Sequence, residues 1–338
     1  MKRKSRILIF SFVLIIILFV NFYPLPYYVS RPGLAKVLDE IIDVENGYEN
    51  DGEFMLTTIR IGKANIITFL MTKVNEYYQL EPIEAIRLEN ETDEEYQIRQ
   101  LYYMENSQEN AIQLAYEKAG KEIKVQMNGI YILNVMDGSP AEGVLKAGDR
   151  ITSIDGETFD SAKGFTDYIQ SKQAGDKIEV TINRNEKIIT ETIELRIIEE
   201  IGKPGIGISL VEDKEIMSNP EVDINTSEIG GPSAGLMFAL EIYNQLIDED
   251  ITKGFSIAGT GTISPDGKVG PIGGIDQKVV AADKAGAEIF FAPNENGKKE
   301  SNYEIAVKTA KDIGTDMKIV PVDDFDDAIR FLQTLKEK

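Results

Sequence analysis

Gly230-Gly231-Pro232-Ser233-Ala234-Gly235-Leu236-Met237-Phe238-Ala239-Leu240 is the stretch on which the reading of this chain turns. A glycine pair, a proline and a serine open an apolar helix that the pattern carries to about Leu246. Pro232 suits the first helical position, where a missing N–H costs nothing and φ is already set. Ser233 then falls in the first turn, where free N–H groups and the helix dipole favour negative charge, so a nucleophile there has an oxyanion pocket beside it. A serine in this setting equally serves only to start a helix. Composition narrows the choice. The chain has no His and no Cys, which excludes a Ser-His-Asp triad, a Cys-His pair and any zinc site built on either residue. A base for Ser233 is therefore a lysine, a carboxylate or an N-terminal amine.

A candidate base lies further on, in Gly270-Pro271-Ile272-Gly273-Gly274-Ile275-Asp276-Gln277-Lys278. Gly273-Gly274 reads as a turn and Ile275 as a helix start. Lys278 then shares a face with Ile275, Ala282 and Ala285. Burial on that face lowers a lysine pKa and lets the neutral amine accept a proton. The alternative is snorkelling, with a packed stem and a solvated ammonium.

Together the two segments resemble the proteolytic domain of the Lon family, whose Ser–Lys dyad lies in a PSAG motif and a GGxxxK motif. Pro232-Ser233-Ala234-Gly235 and Gly273 to Lys278 match both, in order. Between them, Ala258-Gly259-Thr260-Gly261-Thr262-Ile263 resembles the family's TGE strand, and Gly267 to Pro271 its G-x-V-x-P hairpin. The chain departs at Gly230, where family members often have Asp, and at Thr262, which replaces the Glu of TGE. The resemblance implies Ser233 as nucleophile and Lys278 as base. Thr260 would orient the lysine, and Gly231 and Ala234 would be supporting neighbours.

At 338 residues and a hydrophobic content of 42%, the chain has room for two folded domains. Its net charge of −21 disfavours nucleic acid and anionic lipid as partners. The first residues run against that balance. Lys2, Arg3, Lys4 and Arg6 precede an almost wholly apolar run from Ile7 to Tyr23. Seventeen helical residues reach about 25 Å, near the lower limit for spanning a bilayer. The basic flank keeps the N-terminus cytoplasmic and places the rest outside the cell, with Tyr23, Tyr27 and Tyr28 at the outer interface. A cleaved signal peptide is the rival, but the nearest small-x-small triplet, Gly33-Leu34-Ala35, lies far beyond the apolar core.

Past the anchor, Ile41–Val44 and Phe54–Ile59 read as strands and Ala64 to Tyr78 as a helix. Thr92-Asp93-Glu94-Glu95 is a capping-box pattern for a long helix to about Lys118, ended by Gly120. Its segment Met104 to Ala111 resembles an early helix of the Lon proteolytic domain, which would make the module after it an insertion; an independent linker domain is the alternative. From about Val125 to Ile198 the pattern is β-rich, with a turn at Asp155-Gly156, an amphipathic helix over Ser161–Lys172 and a final hairpin over 177–195. SPAEGVLKAGDRITSIDGETF in this module resembles a PDZ domain. PDZ domains bind an extended peptide along a sheet edge beside a helix. By that resemblance Asn128-Gly129-Ile130-Tyr131 would capture a carboxylate terminus, and the Ser161–Lys172 helix would be the other wall. A module that only spaces the protease from the membrane is the plainer alternative.

The fold class expected is α/β (α+β): a Lon-type proteolytic domain with a small β-rich PDZ domain and one N-terminal transmembrane helix. The divisions are 1–28, basic flank and anchor; 29–126, linker and first lobe; 127–198, PDZ domain; 199–338, catalytic domain. No phosphate-binding loop of the form G-x-x-x-x-G-K-[ST] occurs. The resemblance, to bacterial PDZ-containing Lon-like proteases, therefore implies a membrane-anchored, ATP-independent serine endopeptidase without cofactor or metal. Its substrates would be extracytoplasmic peptides or unfolded segments, and a homo-oligomer is compatible with the pattern. A non-catalytic peptide-binding scaffold and a Ser–Lys amidase on another fold are the rival readings.

Overall fold

A computed structural model of the chain describes residues 10–12, 23–88, 91–199, 201–226 and 229–338. The apolar run read as an anchor lies almost entirely outside these residues. Among the described residues no helix is long and apolar enough to cross a membrane.

One mixed six-stranded sheet organises the larger lobe. Its strands run in the order Lys318–Val322, Ile289–Pro293, Ser256–Gly259, Glu53–Lys63, Tyr27–Val37, Gln79–Pro82. The first four are parallel, and the last two pairings are antiparallel. Strand side chains alternate between faces, and here each set enters a different apolar layer. Phe54, Leu56, Ile257, Ile289 and Phe291 pack with helices Gly235–Leu246, Asp93–Ala119 and Phe325–Leu332. Met55, Ala258, Phe290 and Ala292 pack with helices Ile275–Ala285 and Asn302–Ile313. The sheet is thus buried on both faces, which is why Ile289–Pro293 is apolar throughout.

Three expectations change here. The segment after residue 28, read as a linker, is the strand Tyr27–Val37. Pro32 argues against a strand, since it cannot donate to a ladder; the register shift between Pro32 and Ala35 accommodates it. Tyr28, expected at a membrane interface, is only 5% exposed. The helix expected over Ala64–Tyr78 is confined to Ile66–Met71, capped by Asn65. By contrast the long helix runs from Asp93 to Ala119, with a capping box between Thr92 and Glu95 and left-handed Gly120 at its end.

Between the two sets of sheet strands lies a second lobe with its own core. Its five-stranded sheet has the order Ile208–Asn219, Glu122–Val135, Arg150–Ile154, Lys177–Arg184, Lys187–Glu194. Ile130, Ile132, Ile151, Phe165, Ile178 and Val180 are among the residues that fill it. Helix Ala162–Gln170, capped by Ser161, buries Phe165 and Ile169. Because the larger sheet draws strands from both sides of this lobe, the β-rich module is inserted within it.

Candidate active site

The serine sits just ahead of its helix rather than inside it. Helix Gly235–Leu246 begins after Ala234, and the first i→i+4 bond is Phe238 N–H to the Ala234 carbonyl, 3.0 Å. The Ser233 carbonyl is turned away to the neighbouring strand, where it accepts from Gly261 N–H at 2.9 Å and Thr260 Oγ1 at 2.8 Å. That diversion is why the helix starts later than the sequence pattern predicts. On the other side, Gly231 takes a φ of 90° and donates its N–H to the Gln100 carbonyl, 2.8 Å. Few residues but glycine adopt that conformation readily. Ser107 Oγ, on the long helix, donates to the Pro232 carbonyl at 3.1 Å. Gly235 is needed for closeness, since a Cβ there would meet Ile263 Cγ2 and Ser107 Oγ at 2.7 Å each.

Lys278 lies one turn into helix Ile275–Ala285 and is 2% exposed. Of the face-mates expected for it, Ile275 and Ala282 are buried, while Ala285 is exposed at the helix end. Its Nζ has three partners: Ser233 Oγ at 2.8 Å, the Thr57 carbonyl at 3.0 Å and Thr260 Oγ1 at 3.0 Å. A neutral amine has two N–H donors and one lone pair, and this set accommodates it. Thr57 O accepts one N–H. Thr260 Oγ1, whose proton goes to the Ser233 carbonyl, accepts the other. The lone pair is left facing the serine hydroxyl. No carboxylate forms an ion pair with Lys278 among the described residues, and burial lowers its pKa to about 7. Ser233 is half-buried, so the hydroxyl is reachable while the amine beneath it is not.

The pair opens onto a cleft of ≈ 730 Å³. The open end of strand Glu53–Lys63 lines one side, the long helix from Tyr96 to Met104 another, and the loop 229–234 a third. Beyond Leu56 that strand loses its partner Ser256–Gly259, so its edge faces the cleft. The structure therefore brings together Ser233, Lys278, Thr260, Gly231 and Ala234. The Thr57 carbonyl and the three long-helix residues Gln100, Ser107 and Asn110 were not expected. Asn110 Nδ2 donates to the Ile263 carbonyl at 3.2 Å, on the same hairpin that carries Thr260. A backbone carbonyl leaves no trace in residue type. The polar residues of the long helix were legible only as a helix.

The structure moves the expected peptide-capturing residues away from any loop. Asn128, Gly129, Ile130 and Tyr131 lie inside strand Glu122–Val135, which is paired on one side to Ile208–Asn219 and on the other to Arg150–Ile154. Ile130 and Tyr131 pair on both sides, Gly129 on one, and Asn128 falls at a register shift; Tyr131 stacks on Tyr102 of the long helix with ring centroids 4.3 Å apart. The sheet edge is instead Ile208–Asn219, and Glu212 on that strand accepts from Ala162 N–H at the start of helix Ala162–Gln170, 2.8 Å. Sequence pattern identified the helix but not which strand lies at the edge, because pairing order is tertiary.

Residues 97–195 match the family model of the PDZ domain, and residues 210–334 that of the Lon protease (S16) C-terminal proteolytic domain. The chain carries a Lon-type serine protease domain. It is 37% identical over 100 residues to the Lon protease of Campylobacter concisus, which is 30% of this chain and 12% of that protein. With the mitochondrial Lon protease homolog of Caenorhabditis elegans it shares 39% over 83 residues, 25% of this chain and 8% of that one. The chain thus spans only a small part of the length of these Lon relatives. Among solved structures, the PDZ domain of the SdrC-like protein from Listeria monocytogenes is 45% identical, covering 26% of this chain and 93% of that one, with a TM-score of 0.25. The Lon-type domain contains both Ser233 and Lys278, and the PDZ match overlaps the inserted sheet.

Proposed function

We propose that this protein is a membrane-anchored, ATP-independent endopeptidase in which Ser233 is the nucleophile and Lys278 the general base. The observation that carries the reading is the 2.8 Å contact between Ser233 Oγ and a lysine amine buried without a carboxylate. Oγ attacks the scissile carbonyl as its proton passes to the Nζ lone pair. The resulting oxyanion is held by the backbone N–H groups of Ser233 and Ala234, at the positive end of the serine helix. Collapse breaks the C–N bond, and Lys278 returns its proton to the leaving amine. Water then attacks the acyl-enzyme with the same base. Thr260 and Thr57 O hold the amine in the orientation that points its lone pair at the serine.

The wider reading rests on sequence. The apolar run after a basic flank supports a retained single-pass anchor, with the protease outside the cell. Lack of a phosphate-binding loop in this chain supports peptides or already unfolded segments as substrates, with the PDZ module aiding their capture. The purified 24–338 fragment, incubated with an unfolded protein and compared with Ser233→Ala by mass spectrometry of the fragments, tests the activity. Fragments from the wild type alone are expected. Identical products from both variants, or none from either, would leave the peptide-binding scaffold as the better account. Protease added to intact cells tests topology and should remove the folded domain while leaving the N-terminus intact.

A further inference from the structure

The cleft beside Ser233 differs in charge from the rest of the molecule. Asp and Glu supply 57 of the 338 residues, yet none lines this cleft among the described residues. Besides the buried Lys278, two basic residues do, Lys36 and Arg60, and both are exposed. A third, Arg31, stands directly across from Arg60 in the register of strands Tyr27–Val37 and Glu53–Lys63. Like charges in that position destabilise a sheet. None of the three has an ion-pair partner among the described residues, in a chain with carboxylates in large excess. A cluster that costs stability and is left unneutralised is available to something from outside.

Its place in the cleft fixes what that is. Lys36 stands opposite Leu56, the residue before Thr57, whose carbonyl holds the Lys278 amine. Arg60 lies three residues past Thr57 on the same strand, roughly 10 Å in extended backbone. A peptide running along this edge with its scissile bond at Ser233 passes Arg60 within about three residues of the cut, and Lys36, one strand further over, lines the same cleft within reach of its side chains. We infer that the site selects polypeptide substrates carrying a carboxylate side chain within about three residues of the scissile bond, with Lys36 and Arg60 as the specificity-determining residues. The inference rests on the peptidase reading above. The net charge of −21 opposes an acidic substrate at long range, but salt screens it beyond about 8 Å, whereas the two cations act in contact.

The test uses fluorogenic peptides in which one glutamate is walked from three residues before the cut to three after it, each with a glutamine twin. At low salt, glutamate at one or two of these positions should raise kcat/KM by about three- to tenfold over its twin, and added salt should erase the difference. Lys36→Glu/Arg60→Glu should invert the order, favouring a lysine peptide. Binding of the same peptides to Ser233→Ala protein, read by fluorescence polarisation, measures the preference without turnover. The preference should appear there and be lost in Ser233→Ala/Lys36→Glu/Arg60→Glu. Equal binding and equal turnover of every glutamate–glutamine pair would overturn the inference while leaving the peptidase intact. A charge preference in binding with no turnover by the wild type would instead sink the peptidase reading, and with it selection at a scissile bond, leaving Lys36 and Arg60 in an acidic-peptide binding site.

Discussion

Lys278 and Lys214 are both buried, at 2% and 8% exposure, and they occupy opposite electrostatic settings. Lys214, on the inserted lobe's edge strand, has Glu212 Oε2 at 3.6 Å and Glu109 Oε2 at 3.9 Å, and donates to Asn110 Oδ1 at 2.6 Å. Lys278 has only neutral oxygens around it. Lys214 reaches from the inserted lobe to Glu109 and Asn110 of the long helix and so ties two lobes together. A buried amine among neutral acceptors gives up its proton, which is costly for folding and useful for chemistry. Carboxylates, more than burial, separate the two roles.

The largest effects should come from breaking the Lys278 side. Ser233→Ala and Lys278→Ala should each lower kcat by about a thousandfold or more, and the double variant should lose little beyond either. Lys278→Arg should be as inactive, because a guanidinium does not deprotonate in this range. Activity of the wild type should rise with pH through about 7, as Lys278 becomes neutral. A peptidase assay with circular dichroism as the folding control checks all four.

Stability should move in opposite directions at the two lysines. Lys278 loses its proton near 7 in the folded chain, whereas an unfolded lysine does so near about 10.4. Between those values the unfolded chain binds the extra proton, so stability rises with pH across the window. Lys278→Met removes a penalty on the order of 4 kcal/mol at pH 7 and strands a few polar groups, for a net gain of about 2 kcal/mol. Denaturant melts should show that gain shrinking towards pH 10. Lys214→Met should lose about 1–2 kcal/mol, limited because Glu109, pushed up to about 8, already carries its proton for the most part at pH 7. A gain at Lys214 or a loss at Lys278 would show that the contrast has been misassigned.

The smallest effect sharpens the Lys214 side. Burial pushes the Glu109 carboxyl up to about 8, with Lys214 partly opposing. The folded chain therefore binds more protons than the unfolded one between the ordinary 4.5 and about 8, and this group's contribution falls as pH rises through that range. Glu109→Gln should be neutral at pH 4 and more stable than the wild type at pH 7, by no more than the roughly 3 kcal/mol that the two pKa values allow. Parallel curves for the two proteins across this range would remove Glu109 from the account.

Side-chain chemistry was the legible part. Without His or Cys, the two glycine-rich turns made Ser233 and Lys278 candidates with plainer roles still open, the resemblance to the Lon proteolytic domain joined them as a pair, and the structure places them at 2.8 Å. The long helix was legible to within a residue because Thr92, Glu95 and Gly120 mark both ends chemically. What failed depended on pairing. Tyr27–Val37 was hidden by Pro32 and by the apolar run before it. Ile130 and Tyr131 have a strand on either side, which no local pattern discloses. Thr57 enters through its carbonyl, and any residue type would supply the same atom.

The Thr57 carbonyl and the Lys278 amine are 221 residues apart in sequence. A chain leaving the ribosome exposes Thr57 early, but strand Ser256–Gly259 and the lysine helix emerge only after the whole inserted lobe. Until then the lysine has no dry pocket, keeps its proton and is no base. Contacts this distant in sequence form late in folding. On the proposed mechanism, proteolytic power would therefore arrive with completion of the fold, and a truncated or half-made copy would have no working base to turn on the cell that makes it.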